Sequence, residues 1–189
     1  MREMIQEIIL ENIRVKEELL KNNVGQILEI SEKIIASFKK GGKLIIFGNG
    51  GSAGDAQHIA AELVGRFKKD RPALPAIALT TNTSIITALA NDFGYDIIFA
   101  RQIEALAGKN DVALGISTSG KSRNVALGLK QAKKMGLVTA VLSGGDGGDI
   151  AKLADISLIV PSSVTARIQE SHILIGHIIC ELIEEANVS

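Results

Sequence analysis

Five short apolar runs, each bounded by glycine, proline or polar residues, constrain the fold of this chain more than any other feature. They predict strands over 43–47, 76–79, 112–117, 137–142 and 156–160. Segments with a helical apolar period lie between these runs, over about 54–67, 83–91, 97–107 and 122–135, and a long helix follows over about 164–186. Strands that are apolar throughout and alternate with helices form parallel sheets that are covered on both faces. We therefore predict an α/β core.

The N-terminal segment has a different pattern and predicts a helical arm. Apolar residues recur near the 3.6-residue period on both sides of Asn22-Asn23, and Gly25 follows this break. We predict two helices, the second of which ends at Gly41-Gly42. No linker or repeat interrupts the chain, so residues 1–189 are taken as one domain. Residues 1–40 form its arm, and residues 41–189 form its α/β core with the long final helix.

The composition excludes several classes of protein. The 21 basic and 21 acidic residues cancel, so no basic field favours nucleic acid. Five Phe, one Tyr and no Trp leave little for stacking bases. The single cysteine, Cys180, cannot form an intramolecular disulfide and fits a reducing compartment. Charges recur along the N-terminal segment, and no apolar run approaches the ~18 residues of a membrane span. We predict neither signal peptide nor membrane contact and expect a cytoplasmic protein.

A glycine-rich loop, Gly48-Asn-Gly-Gly-Ser-Ala-Gly-Asp55, joins the first strand to a helix. Glycines allow a ligand to approach the backbone, and the free N–H groups at a helix start attract anions. The loop also fits the dinucleotide fingerprint, which requires an acidic residue about 20 positions on, at the end of the second strand. That strand ends in Thr80-Thr81 instead, and Asp70 precedes it, so the fingerprint is weak. A tight turn needed only for packing is the other alternative, and Asn49 and Ser52 make it less favoured.

A second loop between a predicted strand and a helix carries four hydroxyl groups. It reads Ser117-Thr-Ser-Gly-Lys-Ser122. Hydroxyl and backbone donors beside a helix N-terminus suit a phosphate monoester. The loop lacks the glycine spacing of a Walker A motif. Ordinary capping by Ser122 is the alternative, but capping needs only one hydroxyl. We therefore predict a phosphate site here.

His58 and Glu62 lie four residues apart on the helix after the glycine-rich loop, so they share one face. Such a pair can hold a metal or act as acid and base, but a solvated surface pair has the same spacing. The final helix places Gln169, Glu170, His172 and His177 in an apolar segment, which predicts burial on all sides.

The spacing along the final helix does not choose a ligand set. Gln169 and His177 are eight residues apart, about 12 Å of helical rise, and spacing alone favours pairing Gln169 with His172. Each histidine can equally be a core residue whose ring is hydrogen-bonded.

Together these segments resemble the phosphoheptose isomerases of the sugar isomerase (SIS) domain superfamily. The resemblance covers essentially the whole chain, including the N-terminal helices, and rests on residues 48–53, 58–66, 91–95, 115–120 and 169–177. The Ser-Thr-Ser-Gly segment marks only the superfamily. His58 and Glu62 together with Gln169 and His177 are far more specific.

The resemblance implies a five-stranded parallel sheet flanked by helices, in a flavodoxin-like three-layer sandwich with an N-terminal helical arm. It implies a homotetramer with active sites at subunit interfaces, where residues 1–40 pack in the oligomer. It also implies one zinc ion per subunit, with the metal ligands His58, Glu62, Gln169 and His177. Glu62 matches the general base and His177 the general acid, while His172 becomes structural. Substrate contacts are implied for Asn49, Gly50, Gly51, Ser52, Glu62, Asn91, Asp92, Ser117, Thr118, Ser119, Ser122 and Gln169.

The implied function is an aldose–ketose isomerase that acts on a small sugar phosphate. It would convert sedoheptulose 7-phosphate to D-glycero-D-manno-heptose 7-phosphate through an enediol(ate), as the first step of ADP- or GDP-heptose biosynthesis for lipopolysaccharide. Zinc binding would lower the basicity of Glu62, so its two roles compete. Two alternatives stay open: the same chemistry on another sugar phosphate, and a non-enzymatic SIS module that binds a sugar phosphate or a replication initiator. The second alternative predicts missing acid–base residues, and here they are present.

Overall fold

The computed structural model describes residues 1–186, and its centre is a sheet of five parallel strands. The strands are β1 (Leu44–Gly48), β2 (Ala76–Ala78), β3 (Val112–Ser117), β4 (Val138–Gly144) and β5 (Ile156–Val160). Their order is β2-β1-β3-β4-β5, and every neighbouring pair is parallel. The predicted sheet is confirmed, and each predicted strand end lies within two residues of the observed one.

Eight helices surround the sheet in the described part of the chain. They are α1 (Arg2–Asn22), α2 (Val24–Phe38), α3 (Gly51–Val64), α4 (Thr83–Phe93), α5 (Ile98–Leu106), α6 (Arg123–Lys134), α7 (Gly148–Ala151) and α8 (Thr165–Glu185), with a 3-10 turn over Tyr95–Ile97. The predicted break in the N-terminal arm falls at Asn23. Sequence analysis missed the short helix α7 and the 3-10 turn, because neither is long enough to show a period.

The strands are buried on both faces and send alternate side chains into two cores. On β1, Leu44 and Ile46 belong to the core that includes side chains of α1, α2, α3 and α8. Ile45 and Phe47 face the other core, where the Phe47 and Phe99 rings lie 5.3 Å apart between centroids. This two-sided burial explains why the strand segments are apolar throughout instead of alternating.

The strand order reverses beside β1, which lies between β2 and β3. Ligands of open α/β sheets bind at such a switch point, beyond the carboxyl ends of the strands. Gly48 ends β1 at this place, and a Cβ there would lie 2.8 Å from both Ile116 O and Ser52 Cβ. A side chain at Gly48 is therefore excluded by close packing of the glycine-rich loop against β3.

The burial predicted for the final helix is only half correct. One side of α8 is buried, and it carries Ile168, Ile175, Ile179 and Ile183. The opposite side, including Leu174 and His177, is partly exposed in the single chain. The prediction of all-round burial is therefore wrong for one chain, since helices α1, α2 and α3 cover only part of the α8 surface.

Candidate active site

Two helices bring three of the predicted site residues into contact. His58 and Glu62 lie on α3, and His177 lies on α8. His58 Nε2 is 2.9 Å from His177 Nε2 and 3.4 Å from Glu62 Oε1. The two imidazole rings meet edge to face, with centroids 5.1 Å apart. The side chains of His58 and Glu62 are 46% and 24% exposed, so this cluster is open to solvent. A carboxylate and two imidazoles at such distances can exchange protons with a bound substrate.

Gln169, the fourth predicted ligand, lies elsewhere along α8. Its side chain packs on the glycine-rich loop, where a Cβ added to Gly51 would be 2.5 Å from Gln169 Nε2. The loop therefore needs glycine at position 51 to admit Gln169. This contact joins the predicted substrate loop to the helix that carries His177.

The donor atoms of the cluster are of the kinds that bind zinc, but the two ring nitrogens are too close together to bind the same zinc ion. Two imidazole nitrogens and a carboxylate oxygen are common zinc ligands. Nitrogens bound to one tetrahedral zinc lie roughly 3.3 Å apart, given Zn–N distances of about 2.0–2.1 Å. At 2.9 Å, one ring N–H of the His58–His177 pair donates to the other ring instead. Over residues 1–186, no group of three or more His, Cys, Asp or Glu is placed to hold a metal ion. The zinc site stays a prediction that requires these rings to separate slightly.

His172 is a core residue, so the pairing of Gln169 with His172 that spacing favoured is wrong. The His172 ring is fully buried, and its Nε2 lies 3.1 Å from Ser143 O. Burial lowers the pKa of His172 to about 4, although the contact with Ser143 O opposes the shift. The imidazole is therefore neutral near pH 7 and bound to the end of β4.

Asn49 of the glycine-rich loop is held by two residues that sequence analysis missed. The side-chain amides of Asn49 and Asn124 donate to each other's oxygens, each at 2.8 Å. Asn124 is buried on the first turn of α6, where its Oδ1 also accepts from Val125 N. The hydroxyl of Tyr95 donates to Asn49 Oδ1 at 3.2 Å. The signal for Asn124 was its position just after the second predicted loop, where the two loops meet beside β1 and β3.

The serine loop uses its hydroxyls within the loop and not as a helix cap. Ser122 is the N-cap residue of α6, but its side chain makes no capping bond. Its Oγ lies 2.9 Å from Ser117 Oγ, and Ser119 Oγ accepts from Lys121 N. Thr118 is half-buried and Ser119 is exposed. The simple capping alternative is therefore wrong. The loop sets its hydroxyls beside the start of α6, where the first N–H groups of a helix lack intrahelical partners.

Asn91 and Asp92 are not brought into this cluster. Both lie near the end of α4 and are exposed, and Asn91 Nδ2 donates to Asp92 Oδ1 at 2.8 Å. Apart from this bond to each other, neither side chain bonds to a predicted site residue within the described part of the chain. Their predicted contact with substrate stays a prediction.

Asp55 is a further candidate that sequence analysis missed. It lies one turn before His58 on α3, and within residues 1–186 its buried Oδ2 has no hydrogen-bond partner. Burial raises the pKa of Asp55 to about 6, while the nearby His58 opposes this shift. The i, i+3 spacing from His58 was the available signal, because such residues share a helical face.

Comparison with known proteins gives a consistent set of relatives. The SIS domain family matches residues 10–144. The phosphoheptose isomerase of Aquifex aeolicus is 54% identical over 185 residues, which cover 98% of this chain and 97% of that protein. The phosphoheptose isomerase of Sulfurimonas denitrificans is 51% identical over 187 residues, which cover 98% of this chain and 96% of that protein.

Solved structures extend this similarity to the fold. A phosphoheptose isomerase from Neisseria gonorrhoeae superposes with a TM-score of 0.92 at 42% identity, covering 97% of this chain and 98% of that one. A phosphoheptose isomerase from Francisella tularensis gives a TM-score of 0.94 at 36% identity, covering 97% of each chain. In the described residues, no helix has the length and apolar character needed to cross a membrane.

Proposed function

We propose that this chain, which belongs to the phosphoheptose isomerase family of SIS domain proteins, converts sedoheptulose 7-phosphate to D-glycero-D-manno-heptose 7-phosphate. High identity to phosphoheptose isomerases over nearly the whole chain indicates a sugar-phosphate isomerase. The single observation that carries the proposal is the contact of His58, Glu62 and His177 between α3 and α8. In this proposal, the cluster supplies the base and the acid for one small substrate.

The isomerisation moves a proton between C1 and C2 of the sugar and returns a proton to oxygen. In the proposed mechanism the Glu62 carboxylate takes the carbon-bound proton, which leaves an enediol(ate). His177 donates a proton to the C2 carbonyl oxygen and then takes the proton of the C1 hydroxyl, while Glu62 delivers its proton to C2, so that both residues return to their starting state. His58 contacts both groups and holds them at a fixed separation. Zinc bound by His58, Glu62, Gln169 and His177 would polarise the carbonyl group.

The phosphate group of the substrate is proposed to bind between the two loops at the β1/β3 switch point. The glycine-rich loop opens α3, and the serine loop opens α6. Backbone N–H groups and hydroxyls can bind a dianion there although the chain carries no net positive charge. This arrangement agrees with equal numbers of acidic and basic residues. We further propose a cytoplasmic homotetramer with interfacial sites that acts first in nucleotide-heptose synthesis.

A panel of ketose phosphates tests the proposed substrate. The purified protein is incubated in deuterated water with sedoheptulose 7-phosphate and with hexose and pentose phosphates, and C1/C2 proton exchange is followed by NMR. We expect exchange on the heptose phosphate, loss of exchange with a chelator, and recovery with Zn²⁺. Exchange on another sugar alone would contradict the substrate. Binding of every sugar phosphate without exchange would favour the non-enzymatic module, and full exchange with the chelator would contradict the zinc proposal.

Substitution of the two proposed catalytic residues tests their roles. Glu62→Gln and His177→Ala each remove a proton-transfer group, so we expect kcat to fall by roughly 10²- to 10⁴-fold. Glu104→Gln, on the exposed surface of α5, is the matched control and should retain wild-type kcat. Full activity in both site variants would refute the assignment of base and acid.

A further inference from the structure

The two helices that carry the site are joined at their C-terminal ends by one arginine that is mostly buried. Arg71 lies in the loop after α3, and its side chain is 12% exposed. Its guanidinium donates to Glu62 O at 2.8 Å and to Leu63 O at 2.8 Å. These carbonyls belong to the last turn of α3, where helical carbonyls lack intrahelical partners. Arg71 therefore caps the helix on which His58 and Glu62 lie.

The same guanidinium is paired with Glu184, which lies in the last turn of α8. Arg71 Nε donates to Glu184 Oε1 at 2.9 Å, and the Glu184 side chain is 2% exposed. The carboxylate also accepts from three successive backbone N–H groups, those of residues 67, 68 and 69, at 2.8–3.1 Å. Burial raises the pKa of Glu184, but these donors and Arg71 outweigh it, so the pKa lies below its usual value. A buried carboxylate thus stays charged and holds the loop after α3 against α8.

The segment bound by Glu184 reaches the site through Phe67. Phe67 N donates to Glu184 Oε1, and the Phe67 ring packs on the His177 ring at 5.6 Å between centroids. Glu184 follows His177 by seven residues, so both side chains leave the same face of α8. The pair therefore fixes the ring against which His177 rests.

We propose that Arg71 and Glu184 form a clamp that positions His177 against His58 and Glu62 for proton transfer. The clamp acts through Phe67 and through the carbonyls at the end of α3. This inference rests on the proposed isomerase function. Stability alone does not explain the pair, because apolar residues often replace a buried ion pair without loss of stability. Directed bonds to carbonyls of α3 and amides of the loop supply a fixed geometry that apolar contacts lack.

Neighbouring ion pairs on the same surface give a matched control. Lys69 and Glu185 pair at 2.7 Å, but their side chains are 46% and 60% exposed. Glu185 follows Glu184 directly and bonds to no backbone N–H group within the described chain. Glu185→Gln therefore makes the same chemical change as Glu184→Gln but leaves Arg71, Glu184 and the three backbone N–H bonds to Glu184 in place.

Steady-state kinetics with sedoheptulose 7-phosphate test the clamp in the full-length protein, well below the thermal midpoint of each variant. We expect Glu184→Gln and Arg71→Lys to lower kcat by about tenfold or more, with KM within about threefold of wild type. We expect KM to change little because the predicted phosphate loops lie apart from the clamp. Glu185→Gln should match wild type. If Glu184→Gln does not fold, Phe67→Leu removes the contact with His177 while leaving the ion pair, and it should lower kcat in the same way.

A measurement without substrate separates the clamp from the proposed function. The chain has three histidines, so NMR of histidine labelled in the ring gives a simple spectrum. We expect Glu184→Gln to shift the His177 ring signals, which sense the Phe67 ring current, and to leave those of His172 in place. If wild type lacks isomerase activity, the function fails but this spectrum still tests the clamp. Wild-type kcat and wild-type His177 signals in a folded Glu184→Gln variant with a lowered thermal midpoint would overturn the proposal.

Discussion

Two histidines five residues apart on α8 have opposite environments. His172 is fully buried and bonded to Ser143 O, whereas His177 is partly exposed and meets His58. Five residues turn a helix by roughly 140° beyond a full turn, so the two rings leave different sides of α8. The side of the helix from which each ring projects, and not its sequence position, distinguishes the buried structural histidine from the histidine of the candidate active site.

Burial of His172 predicts an acid-sensitive contribution to stability. The pKa of about 4 in the folded chain lies below the ordinary value of 6.5, so the unfolded chain binds a proton first. The contribution is complete above pH 6.5 and is lost as pH falls towards 4, by about 3 kcal/mol. We expect His172→Gln, whose amide can still donate to Ser143 O, to be less sensitive to acid than wild type. Denaturant unfolding of both proteins at pH 7 and pH 4.5 measures the difference.

Wild type must be compared with His172→Gln because Asp55 also makes the stability depend on pH, and its contribution changes in the opposite direction as pH falls. Its pKa of about 6 lies above the ordinary 3.8, so the folded chain keeps a proton that the unfolded chain has lost. Between these values the Asp55 contribution rises as pH falls. Both proteins contain Asp55, so its effect cancels in the difference. Equal acid sensitivity of the two proteins would contradict the role given to His172.

Asn124 gives a second prediction for a single residue. In Asn124→Asp the carboxylate cannot donate to Asn49 Oδ1, and it places a negative charge beside the predicted phosphate loops. We expect KM for the sugar phosphate to rise about tenfold or more, with a smaller change in kcat. Asn110→Asp, in the turn before β3 at the amino ends of the strands, is the matched control. Unchanged KM in Asn124→Asp would show that the reciprocal amide pair does not position the loop.

At the scale of elements, glycine has opposite roles in two helices. Gly128 on α6 packs against the aromatic core, where a Cβ would lie 2.8 Å from Phe47 Cε2 and 3.2 Å from Phe99 Cβ. A Cβ added to Gly25 on α2 would have no atom within 4 Å. The first glycine allows α6 to approach β1 closely, whereas the second only weakens its helix.

This contrast predicts opposite effects of one substitution. Gly128→Ala overpacks the core and should lower the free energy of unfolding by about 1–3 kcal/mol. Gly25→Ala removes the conformational cost of a helical glycine and should raise it by up to about 1 kcal/mol. Urea unfolding of both variants measures the two changes. Stabilisation by Gly128→Ala would mean that α6 is free to move away from the sheet.

At the scale of the whole molecule, the N-terminal arm is attached on one side and open on the other. Arg167 of α8 donates to Ile8 O, and Lys16 donates to Ser171 Oγ, so α1 is bound to the final helix. Elsewhere on α1, large apolar side chains are exposed: Met4, Ile5, Ile9, Leu10, Ile13 and Leu20. An apolar surface of this extent is typical of subunit contacts.

We predict that this surface assembles four chains. Light scattering after size-exclusion chromatography should give about 80 kDa, four times the 20.0 kDa chain. The double variant Ile5→Glu and Ile9→Glu places charges in the contact and should yield smaller species. Leu106→Glu, an exposed apolar residue on α5, is the control and should keep the wild-type mass. A monomeric wild-type protein would contradict the predicted tetramer.

The fold could be predicted well from the sequence. The sheet is buried on both faces, so each strand consists of an apolar run that can be recognised. The breaks at Asn23 and at the glycines that follow β1, β3 and β4 could be predicted equally well, since they depend on local backbone preference. Helix α7 could not be predicted, because its four residues show no period. Exposure along one side of α8 was also missed, since an apolar pattern does not say what covers it.

The sequence by itself determined the parallel α/β core, the helical arm and the two loops at the carboxyl ends of β1 and β3. It also provided the spacing of His58 and Glu62, since one helix turn fixes their common face. The family resemblance implied that His177 and not His172 belongs to the site, and helical spacing did not. Only the tertiary structure showed that His177 meets His58, that Asn124 holds Asn49, and that Arg71 and Glu184 join the ends of α3 and α8. Those contacts join residues far apart in the chain, and their geometry depends on how helices dock on the sheet.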